Sequence, residues 1–150
     1  MMQRLIEGQT LTRRDIAVLF GGNARAFLPR VNGGDIVAGC FDPDMNPRVP
    51  YEILVHNAPN AILNAQRFLE QSTLSRRRSK SPATNPRSSV PVFLRRASNV
   101  WEYVGRYRAV RYTEDPDQVS IRIYEIRPRI YERHVREYGQ VRGILFLEEE

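Results

Sequence analysis

The alternation of apolar and polar positions predicts a long β-hairpin in the second half of the chain. Val90–Leu94 is almost entirely apolar, as in a buried strand, and the polar residues Arg95–Asn99 predict the turn. From Val100 onward the pattern has a period of two, which places alternate side chains on opposite faces of a strand. One predicted face carries Trp101, Tyr103, Gly105 and Tyr107, and the other carries Glu102, Val104, Arg106 and Arg108.

Shorter apolar runs predict the rest of a sheet. Buried strands are expected at Asp35–Phe41, Tyr51–Val55 and Gly143–Leu147. Val119–Ile126 alternates between apolar and polar residues and is interpreted as a half-buried strand. Glu148–Glu150 is expected to be a solvated tail.

Two amphipathic segments predict helices. Thr12 and Asp15 have the spacing of a capping box in front of a short apolar stripe, which a Gly-Gly pair ends. Pro59–Gln71 has a proline in its first turn and an apolar stripe that would cover one face of the sheet. Pro128–Tyr138 fits either a short charged helix or a loop. The predicted fold class is α+β, with a small curved mixed sheet or partly closed barrel flanked by two or more helices.

The segment Ser72–Ser89 is predicted to be a flexible basic loop within a single domain of residues 1–150. It is rich in serine, proline and asparagine and contains no acidic residue. Such a composition cannot build a core. It fits a solvated linker or a mobile arm along phosphates, and its positive charges favour the arm. These charges are Arg76, Arg77, Arg78, Lys80 and Arg87.

The charge balance indicates a polyanionic partner. The formal net charge is +6, the isoelectric point is near 10, and Lys80 is the only lysine. Arginine suits bidentate contacts with phosphate and guanine and stacks on flat rings. A GC-rich genome would also favour arginine over lysine, but it does not explain the excess of positive charge.

Other bulk features exclude several classes of protein. Cys40 is the only cysteine, which excludes an internal disulfide and a cysteine-based zinc site. No run approaches the roughly 18 apolar residues of a membrane span, and no signal-peptide pattern opens the chain. We therefore expect a soluble, cytoplasmic protein without a membrane partner.

The sequence offers no recognisable metal or cofactor site. Asp42, Asp44 and Asn46 have the alternate spacing of a calcium loop, but the glycine and the distal glutamate of an EF-hand are missing. His56 and His134 do not have metal-binding spacing. Neither a metal nor a cofactor is expected.

Catalytic patterns are equally absent, so the chain is not expected to be an enzyme. His56 follows a strand and is interpreted as packing or capping a turn, and His134 lies on a charged, exposed-looking stretch. Lys80 has no acidic neighbour, as a nuclease of the Asp/Glu-x-Lys kind would require. Cys40 ends an apolar strand and is interpreted as a core residue rather than a nucleophile.

With these sites excluded, the remaining function is binding, and the residues suit a flat base held beside a phosphate backbone. Aromatic faces grip such ligands and a few polar groups read their edges, although ordinary core packing is the alternative for each aromatic residue. Gly105 indicates a bulge or a place where a ligand approaches the backbone. The candidate base-pocket residues are Trp101, Tyr103, Tyr107, Phe41, Asp42 and Asn46. The candidate contacts with the DNA backbone are Asn23, Arg25, Arg30, Arg76, Arg77, Arg78, Lys80, Arg95, Arg96, Arg106 and Arg108.

Two stretches resemble the SRA (YDG)-like group of the PUA superfold, found in bacterial modification-dependent restriction. They are the hairpin sequence Val90–Arg108 and the strand Ile36–Phe41 with its following Asn46-Pro47, within a resemblance that covers roughly residues 12–112. The resemblance implies a curved sheet that flips a modified cytosine out of duplex DNA into an aromatic pocket. Trp101, Tyr103 or Tyr107 would then stack on the base, and Asp42 or Asn46 would meet its Watson–Crick edge. Such domains often accompany an HNH or other nuclease domain.

The leading hypothesis is a DNA-binding module that recognises 5-methyl- or 5-hydroxymethylcytosine in double-stranded DNA and targets a restriction nuclease. Cleavage would come from a separate domain or subunit. One alternative is an RNA-binding module of the PUA, ASCH or EVE kind that prefers single strands. Another is a protein-interaction domain whose arginines meet an acidic partner.

Overall fold

A computed structural model describes residues 4–31, 34–78 and 89–150, with the backbone alone for 74–78. Within these ranges the chain forms six strands and four helices. In chain order they are β1 (Thr10–Leu11), α1 (Arg13–Phe20), β2 (Gly39–Phe41), β3 (Glu52–His56), α2 (Pro59–Arg78), β4 (Val90–Ala97), β5 (Val100–Thr113), α3 (Pro116–Tyr124), α4 (Pro128–Tyr138) and β6 (Val141–Glu149). None of the helices described is long and apolar enough to span a membrane.

The strands form one open, mixed sheet in the order β2-β4-β5-β6-β3. The β2–β4 pair is parallel, and the other pairs are antiparallel. β5 is long enough to pair with β1 near its start and with β6 from Tyr107 to Thr113. The predicted α+β class, with a small mixed sheet flanked by helices, is confirmed, and the sheet is open rather than closed.

The helices form a layer on each face of the sheet. The largest core cluster lies on one face, where α2 packs through Ala65 and Phe68 against residues such as Val92 and Leu145. On the opposite face α1 covers one end through Ile16. The helices α3 and α4 cover the other end of that face, against Leu54 and Ile144.

A bulge in β5 overturns the prediction that its aromatic residues share one face. The register passes from Phe93 opposite Tyr103 to Val92 opposite Gly105, so Val104 is the extra residue. A bulge of this kind reverses the alternation beyond it. Tyr103 consequently lies in the cluster under α1, whereas Tyr107 lies in the cluster under α2.

The predicted strand Val119–Ile126 is wrong, because this segment contains most of α3. Asp115 caps the helix by accepting a hydrogen bond from the Asp117 N–H, and Pro116 occupies its first position. Val119, Ile123 and Ile126 all pack in the core. Their spacings of four and three residues fit a helix, and the apolar-polar alternation of the same segment also fits a strand.

The predicted loop Ser72–Ser89 is wrong over its first residues, because α2 continues to Arg78. Ser72 is fully buried, and its Oγ accepts a hydrogen bond from the Ala109 N–H at 3.1 Å. Serine is common in loops, but Ser72 links α2 to β5 through this hydrogen bond. Residues 79–88 of the predicted loop lie outside the described residues.

Smaller differences concern the ends of elements. Strand β4 continues to Ala97, so the predicted turn shrinks, with Asn99 in the left-handed conformation at φ 56°. Glu148 and Glu149 belong to β6 rather than to a free tail. Pro128–Tyr138 is a helix, which settles the two alternatives for that segment.

Candidate binding cleft

The described residues enclose a cleft of about 340 Å³ where β3, α2 and α4 meet. Its walls come from β3, the first turns of α2, the end of α4, the segment before β2, and Phe41 in β2. The lining side chains with rings are Phe27, Phe41, His56 and Tyr138. The other polar lining side chains are Arg25, Asn60, Asn64 and Glu137. The cleft therefore has flat apolar walls and a small number of polar groups, as small-ligand sites do.

Ring packing holds the aromatic walls in place. Phe27 and Tyr138 meet edge to face, with ring centroids 5.2 Å apart. The His56 ring lies 5.5 Å from Tyr138 and stacks on His134 at 6.0 Å, with the two imidazoles nearly parallel. Such contacts fix the orientation of the rings and join α4 to β3.

His56 is buried and is oriented by one hydrogen bond. Its Nδ1 lies 2.9 Å from the carbonyl oxygen of Gly139, just beyond α4. Burial lowers the pKa of His56, and the stacked His134 lowers it further, while the bond to Gly139 opposes both. The imidazole is therefore neutral at neutral pH.

His134 is buried too, which corrects the prediction that it lies on an exposed stretch. Burial lowers its pKa, and the negative charge of Asp42 opposes that shift. Among the described residues, its Nδ1 is buried without a hydrogen-bond partner. Two neutral imidazoles thus stand face to face beside the cleft.

Residues 10–120 match the family model described as a domain of unknown function (DUF6697). The chain belongs to this family. Comparisons with curated proteins and with solved structures find no match. The matched range includes the walls of the cleft on β3 and α2, whereas Tyr138 on α4 lies beyond it.

The residues predicted for a base pocket do not surround one cavity of the DUF6697 fold. Trp101 and Tyr103 are buried under α1, with the Arg13 guanidinium 5.0 Å from the Trp101 ring. Phe41 and Tyr107 are buried on the opposite face, and only Phe41 of these four lines the cleft.

Asp42 and Asn46, which were predicted to meet the Watson–Crick edge of a base, instead make local structural contacts. Asn46 is buried, its Oδ1 accepting from the Leu54 N–H and its Nδ2 donating to the Asp42 carbonyl. The Asp42 carboxylate accepts from the Asp44 N–H and lies 3.6 Å from Arg95. Neither Asp42 nor Asn46 lines the cleft.

Each hairpin arginine that was predicted to contact DNA forms an ion pair with an Asp or Glu side chain. Arg95 pairs with Asp42, Arg96 with Glu102, Arg106 with Glu150 and Arg108 with Glu148. The space above Gly105, where a ligand was expected to approach, is bordered by the carboxylates of Glu7 and Glu149. The hairpin arginines are therefore ion-paired, and the role predicted for them in contacting DNA stays a prediction.

The other predicted backbone contacts are scattered. Arg25 is exposed and lines the cleft, and its N–H donates to the Asn23 side chain at 2.8 Å. Arg30 is half-buried and forms an isolated bridge with Ile36. Arg76, Arg77 and Arg78 end α2 with side chains that are not described, and Lys80 lies outside the described residues.

Sequence reasoning missed most of the cleft, although α4 carried one usable signal. Tyr131, His134 and Tyr138 are spaced by three and four residues, so they share one face of a helix. That spacing indicates a histidine on a packed face rather than on a solvated one. Across the described ranges, no group of three or more His, Cys, Asp or Glu side chains could hold a metal ion.

Cys40 is expected to resist thiol reagents in the native protein. The side chain is fully buried in the cluster under α1, and burial raises the pKa of its thiol to about 12. Only the thiolate reacts, so labelling at pH 8 should be slow and should become complete in denaturant. A thiol-reactive dye with and without guanidinium measures this; rapid labelling of the native protein would contradict the burial.

Proposed function

We propose that this chain is a DNA-binding module that takes one base, extruded from the duplex, into the cleft. The cleft itself carries the proposal. Its volume of about 340 Å³ lies at the small end of the roughly 300–1,000 Å³ of ligand pockets. Its flat walls suit a single ring system, since stacking on aromatic side chains is worth about 1–3 kcal/mol per base.

Charge supports a nucleic-acid partner over a neutral small molecule. The whole chain carries a net charge of +6, and the exposed Arg25 lines the cleft and supplies a positive charge for a phosphate next to the bound base. The carboxamides of Asn60 and Asn64 supply the donors and acceptors that base edges need. Extruding a base costs a few kcal/mol, which stacking and edge hydrogen bonds must recover.

The proposal keeps the function expected from the sequence but changes its location. The Trp101 face is core, and the cleft beside Tyr138 takes its place. We keep 5-methylcytosine or 5-hydroxymethylcytosine as the base, and a separate nuclease domain or subunit as the source of cleavage. The cytoplasm stays the expected compartment, since a DNA-binding module needs access to DNA.

Tyr138→Ala is expected to weaken binding of modified duplex DNA about tenfold, because one aromatic wall of the cleft is lost. Fluorescence polarisation at fixed salt measures this. The probes are one duplex carrying cytosine, 5-methylcytosine or 5-hydroxymethylcytosine, and a matching single-stranded RNA. Tyr124→Ala is the matched control, because Tyr124 is 93% exposed and does not line the cleft.

Three outcomes of that titration would count against the proposal. Equal, salt-sensitive binding to all probes that Tyr138→Ala leaves unchanged would refute a base-binding cleft. A preference for the RNA would favour the alternative of a single-strand RNA-binding module. A loss of binding in Tyr124→Ala as large as that in Tyr138→Ala would show that the effect is not specific to the cleft.

A further inference from the structure

The hydrogen bond of His56 determines which of its ring nitrogens carries a proton. The Gly139 carbonyl can only accept, so the Nδ1 atom 2.9 Å away must be the donor. In the neutral imidazole Nε2 is then a bare acceptor. Within the described part of the chain nothing hydrogen-bonds to Nε2, and His56 lines the cleft.

Building on the proposed function, we infer that His56 sets the specificity of the cleft by accepting, at Nε2, a hydrogen bond from an amino group on the bound base. The ligand class is therefore an amino-bearing base such as cytosine or adenine. Uracil presents a carbonyl where cytosine has its amino group, and a protonated N3 where cytosine has an acceptor. That carbonyl would meet the Nε2 lone pair, and two acceptors facing each other form no hydrogen bond.

The surroundings of His56 keep this acceptor in place at neutral pH. The ring packs against uncharged groups, namely Phe27, the Tyr138 ring and the imidazole of His134. The charged groups facing this region are Arg25 and Glu137 along the cleft, and Asp42 and Arg133 around His134. A second positive charge on the stacked His134 would disfavour protonation of His56.

The preference for an amino-bearing base should decrease as the pH falls. Since the pKa of His56 is lowered from its ordinary value of 6.5, the acceptor form is present at and above neutral pH. On acidification below that range Nε2 gains a proton and becomes a donor. The preference for the amino group should then fall, because a protonated ring favours a carbonyl.

The minimal test compares two duplexes that differ only in cytosine or uracil at one position. An abasic site opposite that position removes any difference in base pairing. At about pH 8 the wild type is expected to bind the cytosine probe roughly tenfold more tightly, the value of one hydrogen bond. The ratio should shrink towards one or invert as the pH is lowered through the pKa of His56, which burial holds below its ordinary value of 6.5. This comparison needs no variant, so it does not depend on a substitution folding correctly.

Two variants assign the effect to one ring. His56→Phe keeps a flat side chain but has no acceptor, so it should bind both probes equally. His134→Phe keeps the stacked ring on α4 and should retain the preference at about pH 8. A preference that persists in His56→Phe would overturn the role of His56.

The same probes separate this inference from the function on which it rests. If Tyr138→Ala weakens both probes while the wild type binds them equally, the cleft takes a base and His56 does not select it. If Tyr138→Ala changes neither, the cleft does not bind bases and the proposed function fails.

Discussion

Phe68→Ala is expected to lower the free energy of unfolding by about 3–5 kcal/mol, the usual cost of removing a buried phenylalanine. Phe68 is fully buried in the middle of α2, and it packs in the cluster that joins this helix to β3, β4, β5 and β6. The loss is a large fraction of the roughly 5–15 kcal/mol that stabilises a domain. The remaining cavity would lie at the centre of the fold, where the sheet cannot easily collapse around it.

Chemical denaturation followed by tryptophan fluorescence measures this loss, since Trp101 is the only tryptophan and is buried. Leu63→Ala is the matched control on the same helix. Leu63 is 43% exposed, so its replacement should cost less than about 1 kcal/mol. Similar costs for both variants would mean that α2 does not pack on the sheet as described.

Local patterns predicted those elements whose signals lie within a few residues. Both hydrogen bonds of the capping box at the start of α1 are present: the Asp15 N–H donates to the Thr12 hydroxyl, and the Thr12 N–H donates to the Asp15 carboxylate. Val90–Leu94 is buried, and the hairpin and α2 begin where the sequence indicated. In these segments propensity, capping and burial all favour the same structure.

Prediction failed where a distant contact decided the outcome. Val119–Ile126 fits two periods, and its packing under β6 selects the helix. Gly105 indicated a bulge in β5, but the change of face beyond Val104 depends on the register with β4, which a single strand does not encode. Arg106 and Arg108 look like free cations in the sequence, yet their carboxylate partners come from the far end of the chain.

The cleft was out of reach of sequence reasoning for the same reason. Its walls come from five separate segments, and each wall residue has an ordinary role in its own segment. His56 at the end of a strand and His134 on a helix acquire their common environment only when α4 docks against β3. Conversely, the aromatic strand at Trp101 had a ligand-like pattern because core and binding faces share the same residue types.

Asn46→Ala is expected to cost about 2 kcal/mol of stability and to leave DNA binding unchanged. Strand β3 is an edge strand of the sheet. The Asn46 Oδ1 atom accepts a hydrogen bond from the buried Leu54 N–H at 2.8 Å. Alanine would leave that N–H without a partner, which costs about 1–3 kcal/mol. The bond from Nδ2 to the Asp42 carbonyl would be lost as well.

This variant distinguishes a structural asparagine from one that reads a base. If Asn46 met the Watson–Crick edge, Asn46→Ala would lose the preference among modified duplexes while remaining as stable as the wild type. Since Asn46 is buried away from the cleft, we expect the reverse, with lower stability and an unchanged preference below the melting temperature. Asn23→Ala is the control for stability, because the exposed N–H of Arg25 that it releases can bond to water, at a cost below about 1 kcal/mol.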